Sequence, residues 1–303
     1  MIVPIQKNKE FVEDFQGADN VSGAIHIWWL GQSSFLIKWN GNGLLIDPYL
    51  SDSVTRKTAT TDTPLQRISE HVVDPLELSG IDVVLCSNND PDRFDPETLL
   101  PLRASNPNLK VVVPAGNRTE AEELLGKAGP PILTVNAGTY TSYGAFDFHG
   151  ITATTPKIRR DSRGNSKDLG FVIVFGPFSI YFSSATTWHT SLVKDVRRWS
   201  INLAILPING GVDEDGPGET LNGFQAAALS KAISTSLVCP CHYDMFDVGN
   251  PTTEEFSSCC DRLGQRYRIL KLGQRMTMGP VVDPSAGKAA PSEEHKDDWG
   301  LGY

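Results

Sequence analysis

The sequence predicts an α/β fold, or a two-sheet sandwich with helices outside, and three stretches carry that prediction. An apolar run, Ile81 to Leu85, stops in a polar loop and is followed by a helix-like segment from Asp95-Pro96-Glu97, which makes a strand, a loop and a helix. Asn40-Gly41-Asn42-Gly43 is a hairpin signal between two β-rich runs. From Leu109 onward, short β-branched or aromatic runs broken by Gly alternate with Ala-, Glu- and Leu-rich ones.

Composition bounds the function classes. A chain of 303 residues with 40% hydrophobic and 21% charged residues is soluble and globular, long enough for one large domain or two ordinary ones. The net charge of −9 argues against nucleic acid as a partner, since no excess of Lys and Arg is available to meet phosphates. The first residues, MIVPIQKNKEFVEDF, lack the apolar core of a signal peptide, and no run approaches the ~20 apolar residues of a membrane span. A cytoplasmic protein with no membrane partner is expected. Five cysteines, an odd number, make a disulfide framework an unattractive reading. Cys239 and Cys241, alternate residues of an expected strand, are read as packing groups rather than ligands.

Residues 1–23 carry no strong pattern and are read as a polar segment lying over the surface. Ala24 to Leu30, Phe35 to Trp39 and Leu44 to Ile46 are expected to open an antiparallel sheet, and residues 54–80 form a polar insertion. After the central loop come a strand at Leu109 to Val113 and a helix at Thr119 to Gly126 with Gly as its stop. Short strands follow at Ile132 to Val135, Thr139 to Tyr143 and Phe146 to Ile151. Pro156 to Lys167 is basic and turn-rich, the segment best suited to cover a site. A hairpin at Gly176-Pro177 joins Leu169 to Phe175 and Phe178 to Phe182. Helices are expected at Phe224 to Ile233 and Glu254 to Leu263, and closing strands at Tyr267 to Leu272 and Arg275 to Met278. Residues 283–303 are rich in Pro, Ala, Lys, Glu and Asp, too polar to order themselves, and are read as a disordered tail.

Loops at the carboxyl ends of strands are where α/β sheets hold ligands. The loop after Leu85 places Asn88, Asn89, Asp90, Asp92 and Arg93 within six positions. It resembles the Thr-His-x-His-x-Asp-His signature of the metallo-β-lactamase superfamily, with Ser87, Asn88, Asp90, Asp92 and Arg93 in the Thr, His, His, Asp and His places and Asp95-Pro96-Glu97-Thr98-Leu99 like the segment that follows it. WWLGQSSFLIKWNGNGLLIDPYLSDS, residues 28–53, is similar to the ascorbate-6-phosphate lactonase-like branch, with Gln32 where His is common. Leu206-Pro207-Ile208-Asn209-Gly210 and VCPCHYDMF, residues 238–246, extend the likeness. It implies a four-layered αββα sandwich over residues 24–282, with the pocket at the loop ends of the two sheets.

The frame is kept while the ligands are changed. Thr155 stands in the place of another metal-binding His, and Ala185 replaces the bridging Asp in a Ser183-Ser184-Ala185-Thr186 segment. His242 alone remains of the ligand histidines. Asp47 fits the pattern and is read as serving the loop architecture. Zinc prefers imidazole and thiolate. A divalent ion ~4 Å from a guanidinium would meet a repulsion of roughly 8 kcal/mol at an effective dielectric of ~20.

The changed residues, with the resemblance to the lactonase-like branch, imply a protein without a cofactor that binds or transforms a small lactone, carbonyl or anionic molecule, as a metal-free lactonase, isomerase or cyclase-like enzyme. Asp90, Asp92, Arg93 and His242 are the catalytic candidates, and Gln32, Asn88, Asn89, Thr155, Thr186 and Asn209 are candidates for substrate binding. Two alternatives stay open: a hydrolase with one weakly held divalent metal on Asp90, Asp92 and His242, and a non-catalytic subunit. A homo-oligomer is compatible with all three.

Overall fold

A computed structural model of the chain describes residues 1–20, 23–155, 157–213, 216–217 and 220–279. The tail expected to be disordered lies outside them. The first helix is α1 (Asn8–Gln16), followed by the hairpin strands β1 (Ile25–Gly31), β2 (Ser34–Trp39) and β3 (Asn42–Ile46), and by α2 (Ser53–Thr58). Next come β4 (Val83–Leu85), α3 (Pro96–Ser105), β5 (Lys110–Pro114), α4 (Arg118–Leu125) and β6 (Ile132–Val135). The second half holds β7 (Tyr140–Tyr143), β8 (Phe146–Thr152), β9 (Leu169–Phe175), β10 (Phe178–Phe182), α5 (Leu192–Arg197) and β11 (Leu203–Pro207). A short pair, β12 (Val212–Asp213) and β13 (Gly216–Pro217), precedes α6 (Gly223–Ala232), β14 (Leu237–Cys241), α7 (Glu254–Leu263) and β15 (Arg275–Met278).

Two mixed sheets result. One runs β15-β1-β2-β3-β4-β5-β6, antiparallel as far as β3 and parallel from there to β6. The other runs β14-β11-β10-β9-β8-β7, with β14, β11 and β10 parallel and the rest antiparallel. Helix α4 packs on the first sheet with α3 against it, and α5 and α6 pack on the second with α7 against α6. Strands buried on both faces read as continuous apolar runs rather than alternating ones, and β1, β4, β10 and β11 are buried at every position. The expected αββα sandwich is what forms.

Local chemistry explains the turns. Asn40 and Gly41 are both at positive φ (46° and 79°), the two-residue turn that matches the twist of a hairpin. At the start of α3 the Asp95 carboxylate accepts from Glu97 N and from Thr98 Oγ, with Pro96 at the first helical position.

Two expectations need correction. Residues 8–16 are a helix, not a surface segment: Phe11 and Phe15 are buried edge-on against Trp28, whose indole N–H donates to Asp14 at 2.8 Å. Tyr267 to Leu272 does not form a strand. Its side chains alternate, with Leu270 and Leu272 buried, but the backbone makes a single bridge, Tyr267 with Val238, before the Gly273 turn.

Candidate functional site

The site is built where four residues hold a backbone conformation that side chains other than Gly seldom adopt. Gln32 (φ 49°), Asp47 (φ 41°), Ser184 (φ 59°) and His242 (φ 65°) follow β1, β3, β10 and β14 respectively. Such residues cost of order 1–3 kcal/mol each and persist where surrounding bonds over-determine them. Those bonds are present. His242 N donates to Gln32 O at 3.1 Å, Trp29 Nε1 to Gln32 O at 3.0 Å, and Asp47 N to Leu85 O at 2.7 Å. Gly31, at φ 100°, lets the Met245 side chain pack against the backbone just before Gln32, where a Cβ would lie 2.5 Å from Met245 Cε.

Asp47 clamps the loop after β4 by accepting from Ser87 N at 2.7 Å and Ser87 Oγ at 2.6 Å. Ser184 Oγ donates to Ser87 Oγ at 2.6 Å and accepts from Arg93 Nη1 at 3.2 Å, so a chain of bonds runs from Asp47 through both serines to Arg93. Within the loop, Asp90 N bonds the Asn88 side chain, and Arg93 N and Phe94 N return to Asp90 O. That turn aims Arg93 inward.

Arg93 is 4% exposed, yet its surroundings keep it charged. Burial opposes the charge, and the carboxylates of Asp92, Asp47 and Asp90 overturn that, leaving its basicity above the ordinary value. Nη1 lies 3.7 Å from Asp47 Oδ2, Nε lies 3.7 Å from Asp92 Oδ1, and Nη2 lies 3.3 Å from His242 Nε2. Arg93 Nε itself is buried with no hydrogen-bond partner. A guanidinium can only donate, so His242 Nε2 accepts and the imidazole proton sits on Nδ1. Burial, reinforced by the Arg93 charge, pushes the His242 pKa well below its ordinary 6.5, and the ring is neutral. His242 is thus no free base, contrary to expectation. Its basic lone pair is already taken.

Asp92 faces the cavity, bonded by Gln32 Nε2 at 3.2 Å. Asp90 is held by Asn88 Nδ2 at 2.9 Å and by Arg159 Nη2 at 3.4 Å. Arg159, from the basic loop, also forks onto the buried carboxylate of Asp168, and those bonds raise its pKa. A cavity of about 600 Å³ is lined by Gln32, Asp90, Asp92, Arg93, Arg159 and His242, together with Thr155 and Asn209. Three expected contacts turn elsewhere. Asn88 is buried and spent on Asp90, Asn89 bonds Glu120 on α4, and Thr186 is buried with its hydroxyl bonded to Thr154 N and Thr187 O. Ser87 and Ser184 were placed by the resemblance without a role in the site, and Arg159 was not singled out, its signal being the basic character of its loop.

The donor set does not fit the metal ions associated with this fold. His242 Nε2 accepts from a guanidinium, Asp90 is shared between Arg159 and Asn88, and Ala185 offers a methyl group. Among the described residues no three His, Cys, Asp or Glu side chains converge as a metal site. Cys239 and Cys241 sit in the core, where burial pushes the Cys239 thiol up to about 12. A cavity of about 640 Å³ beside α7 and β15 opens at the other end of the sheets, near the start of β14, and shares no lining residue with the strained cluster.

Residues 26–242 match the β-lactamase superfamily domain. A UPF0173 metal-dependent hydrolase of Lawsonia intracellularis is 22% identical over 77% of this chain and 89% of its own length. One of Methanosarcina mazei is 25% identical over 84% of this chain and 99% of its own. Among solved structures, an isothiocyanate hydrolase from Delia radicum gut bacteria superposes with a TM-score of 0.68 at 14% identity, covering 84% of this chain and 99% of that one. Igni18, a metallo hydrolase of Ignicoccus hospitalis, gives 0.62 at 17% identity, covering 84% and 98%. Among the described residues no helix is long and apolar enough to cross a membrane.

Proposed function

The chain belongs to the metallo-β-lactamase superfamily, and from that premise we propose that it is a metal-independent hydrolase of small carbonyl compounds, lactones or esters, with Arg93 supplying the positive charge. One observation carries the reading: the Arg93 guanidinium, charged and largely buried, lines the polar cavity with Nε 3.7 Å from Asp92 Oδ1 while Nη2 is held by His242 and Nη1 by Ser184. The relatives are named metal-dependent hydrolases, which supports hydrolysis but not independence of metal; the latter rests on the donor set of the described residues alone.

The roles follow from the bonds. The Arg93 guanidinium, which lines the polar cavity, lends its charge to the oxyanion that develops on the ligand's carbonyl oxygen. Asp92 accepts the proton of the attacking water as its oxygen bonds the acyl carbon; the acyl–oxygen bond then breaks and the departing alkoxide takes that proton, giving a hydroxy acid from a lactone. His242 is a positioning residue, fixed as the Nδ1–H tautomer, that holds the guanidinium plane. Arg159 and Asn88 hold Asp90, which closes the far wall.

Elemental analysis of chelator-free protein, combined with hydrolysis of a neutral lactone panel in the presence and absence of chelator, tests this. Less than a tenth of an equivalent of zinc, iron or manganese, with chelator-insensitive turnover lost by ~10²- to 10³-fold in Arg93→Ala, is expected on the worth of one oxyanion donor. Stoichiometric metal, or turnover that needs it, overturns the proposal.

A further inference from the structure

The polar cavity does not end at Asp92. A second cavity of about 440 Å³ shares Gln32, Asp92, Asn209, His242 and Gly249 with it, so the two adjoin along a common wall. Their far ends differ in chemistry. The first is walled by Asp90, Arg93 and Arg159, the second by Val54, Leu65, Met245, Phe246 and Val248. Tyr49, Val54, Met245 and Phe246, with Leu65 against them, form a hydrophobic cluster separate from the main core. Val248 is 53% exposed at its edge. Small-molecule sites of a few hundred Å³, mostly apolar with a few convergent polar groups, are the usual form of a binding pocket.

Charge narrows the class. The side chains of Asp90 and Asp92 balance those of Arg93 and Arg159 in the polar end, and the Arg159 charge is further neutralised by buried Asp168. Such a wall rewards a neutral polar head over an anion, because an added carboxylate would meet two carboxylates already paired to both arginines.

We infer that the ligand is a neutral lactone or ester carrying an apolar tail, its carbonyl in the polar cavity by Arg93 and its tail passing Gln32 and Asp92 to lie among Val54, Leu65, Met245 and Phe246. The inference rests on the hydrolase reading above and adds to it the class of substrate. The head alone leaves the apolar cavity unused. A tail that fills it replaces water along the cluster walls.

A series of δ-lactones with hydrogen, propyl or pentyl at the ring carbon bearing oxygen, together with a pentanoate-tailed analogue, tests this on the full chain. Binding is read by calorimetry and turnover by acid release. A gain of roughly fourfold per methylene buried is the upper expectation, so the pentyl lactone should bind at least 30-fold more tightly than the unsubstituted ring, with the carboxylate analogue weaker than either alkyl lactone. Leu65→Trp, which fills the cavity, should bring the pentyl-to-unsubstituted ratio toward one; Phe246→Ala serves as a second variant if that one does not fold, and should cut the ratio severalfold. Equal binding across the parent series, preference for the carboxylate, or no binding of any lactone overturns the inference. The two proposals fail separately: graded binding without acid release rejects hydrolysis but keeps the ligand class, whereas turnover without a tail gradient does the reverse.

Discussion

Arg93 donates from Nη2 to Nε2 of His242 across 3.3 Å, and both residues are almost wholly buried at the cavity wall. The sign of the consequence is fixed. A folded-state pKa well below the ordinary 6.5 means that the unfolded chain binds the proton more readily, so the His242 contribution is present above 6.5 and is lost as pH falls below it. Nitrogen-detected NMR of the imidazole should show a neutral Nδ1–H ring that does not titrate between pH 8 and the acid limit of folding. A His242 signal titrating near 6.5 would show that the pair does not form in solution.

Asp47 carries the opposite dependence. Burial pushes its pKa from 3.8 up to about 7, with Arg93 and the Ser87 bonds offsetting only part of that cost. Because the folded state holds the proton more tightly, this stabilisation is full below 3.8 and is lost as pH rises through about 7. The integrated effect is on the order of 4 kcal/mol. In Asp47→Asn the difference in unfolding free energy from the parent should grow in the variant's favour as pH rises from 4 to 8, as read by urea unfolding at intervals. A pH-independent difference would count against a shifted Asp47.

The Arg159–Asp168 pair makes the basic loop a wall of the site rather than a free flap. Removing one partner of a buried charge pair commonly costs about 3–5 kcal/mol, but the Arg159 side chain is 42% exposed, so about 1–3 kcal/mol is expected for Arg159→Ala. Adding Asp168→Asn should recover part of the loss, since the stranded charge is removed. Urea unfolding of the single and double variants gives the comparison; an additive double variant would mean the pair is not coupled.

Much of the frame could be read locally. The Asn40-Gly41 turn, the Asp95 cap and the strands at 132–135, 169–175 and 178–182 depend on residues within a few positions of one another. The place of Arg93 was legible through resemblance, but not what it does to His242, because the two lie 149 positions apart and nothing in either neighbourhood specifies their bond. Separations of 40 and 97 positions hide the Asp47–Ser87–Ser184 chain, whose members were each placed by resemblance but not joined to one another. The apolar cavity was equally silent: Val54, Leu65 and Phe246 come from an apparently polar insertion and from the segment after β14, and only the fold joins them.

Helix α1 escaped for a different reason, and that reason sets the last prediction. Its apolar face is short, Phe11 and Phe15 one turn apart with Val12 beside them, and Lys7 at its start makes no side-chain cap, so the stretch carries only a faint amphipathic pattern among polar residues. Tertiary burial holds it instead. Both rings are nearly or wholly inaccessible and meet Trp28 edge-on with centroids 6.3 and 5.5 Å away, while Asp14 ties Trp28 Nε1 and forms an ion pair with Arg275 at 3.0 Å. Phe11→Ala should therefore cost about 3–5 kcal/mol, the range for removing a buried aromatic ring from a core. Asp14→Ala should cost less, about 1–3 kcal/mol, through the unpaired indole N–H and the lost charge. Chemical denaturation monitored by Trp fluorescence separates the two cases, and hydrogen exchange across residues 8–16 should rise only locally if the helix undocks alone. A Phe11→Ala loss below 1 kcal/mol would mean that the helix lies on the surface after all.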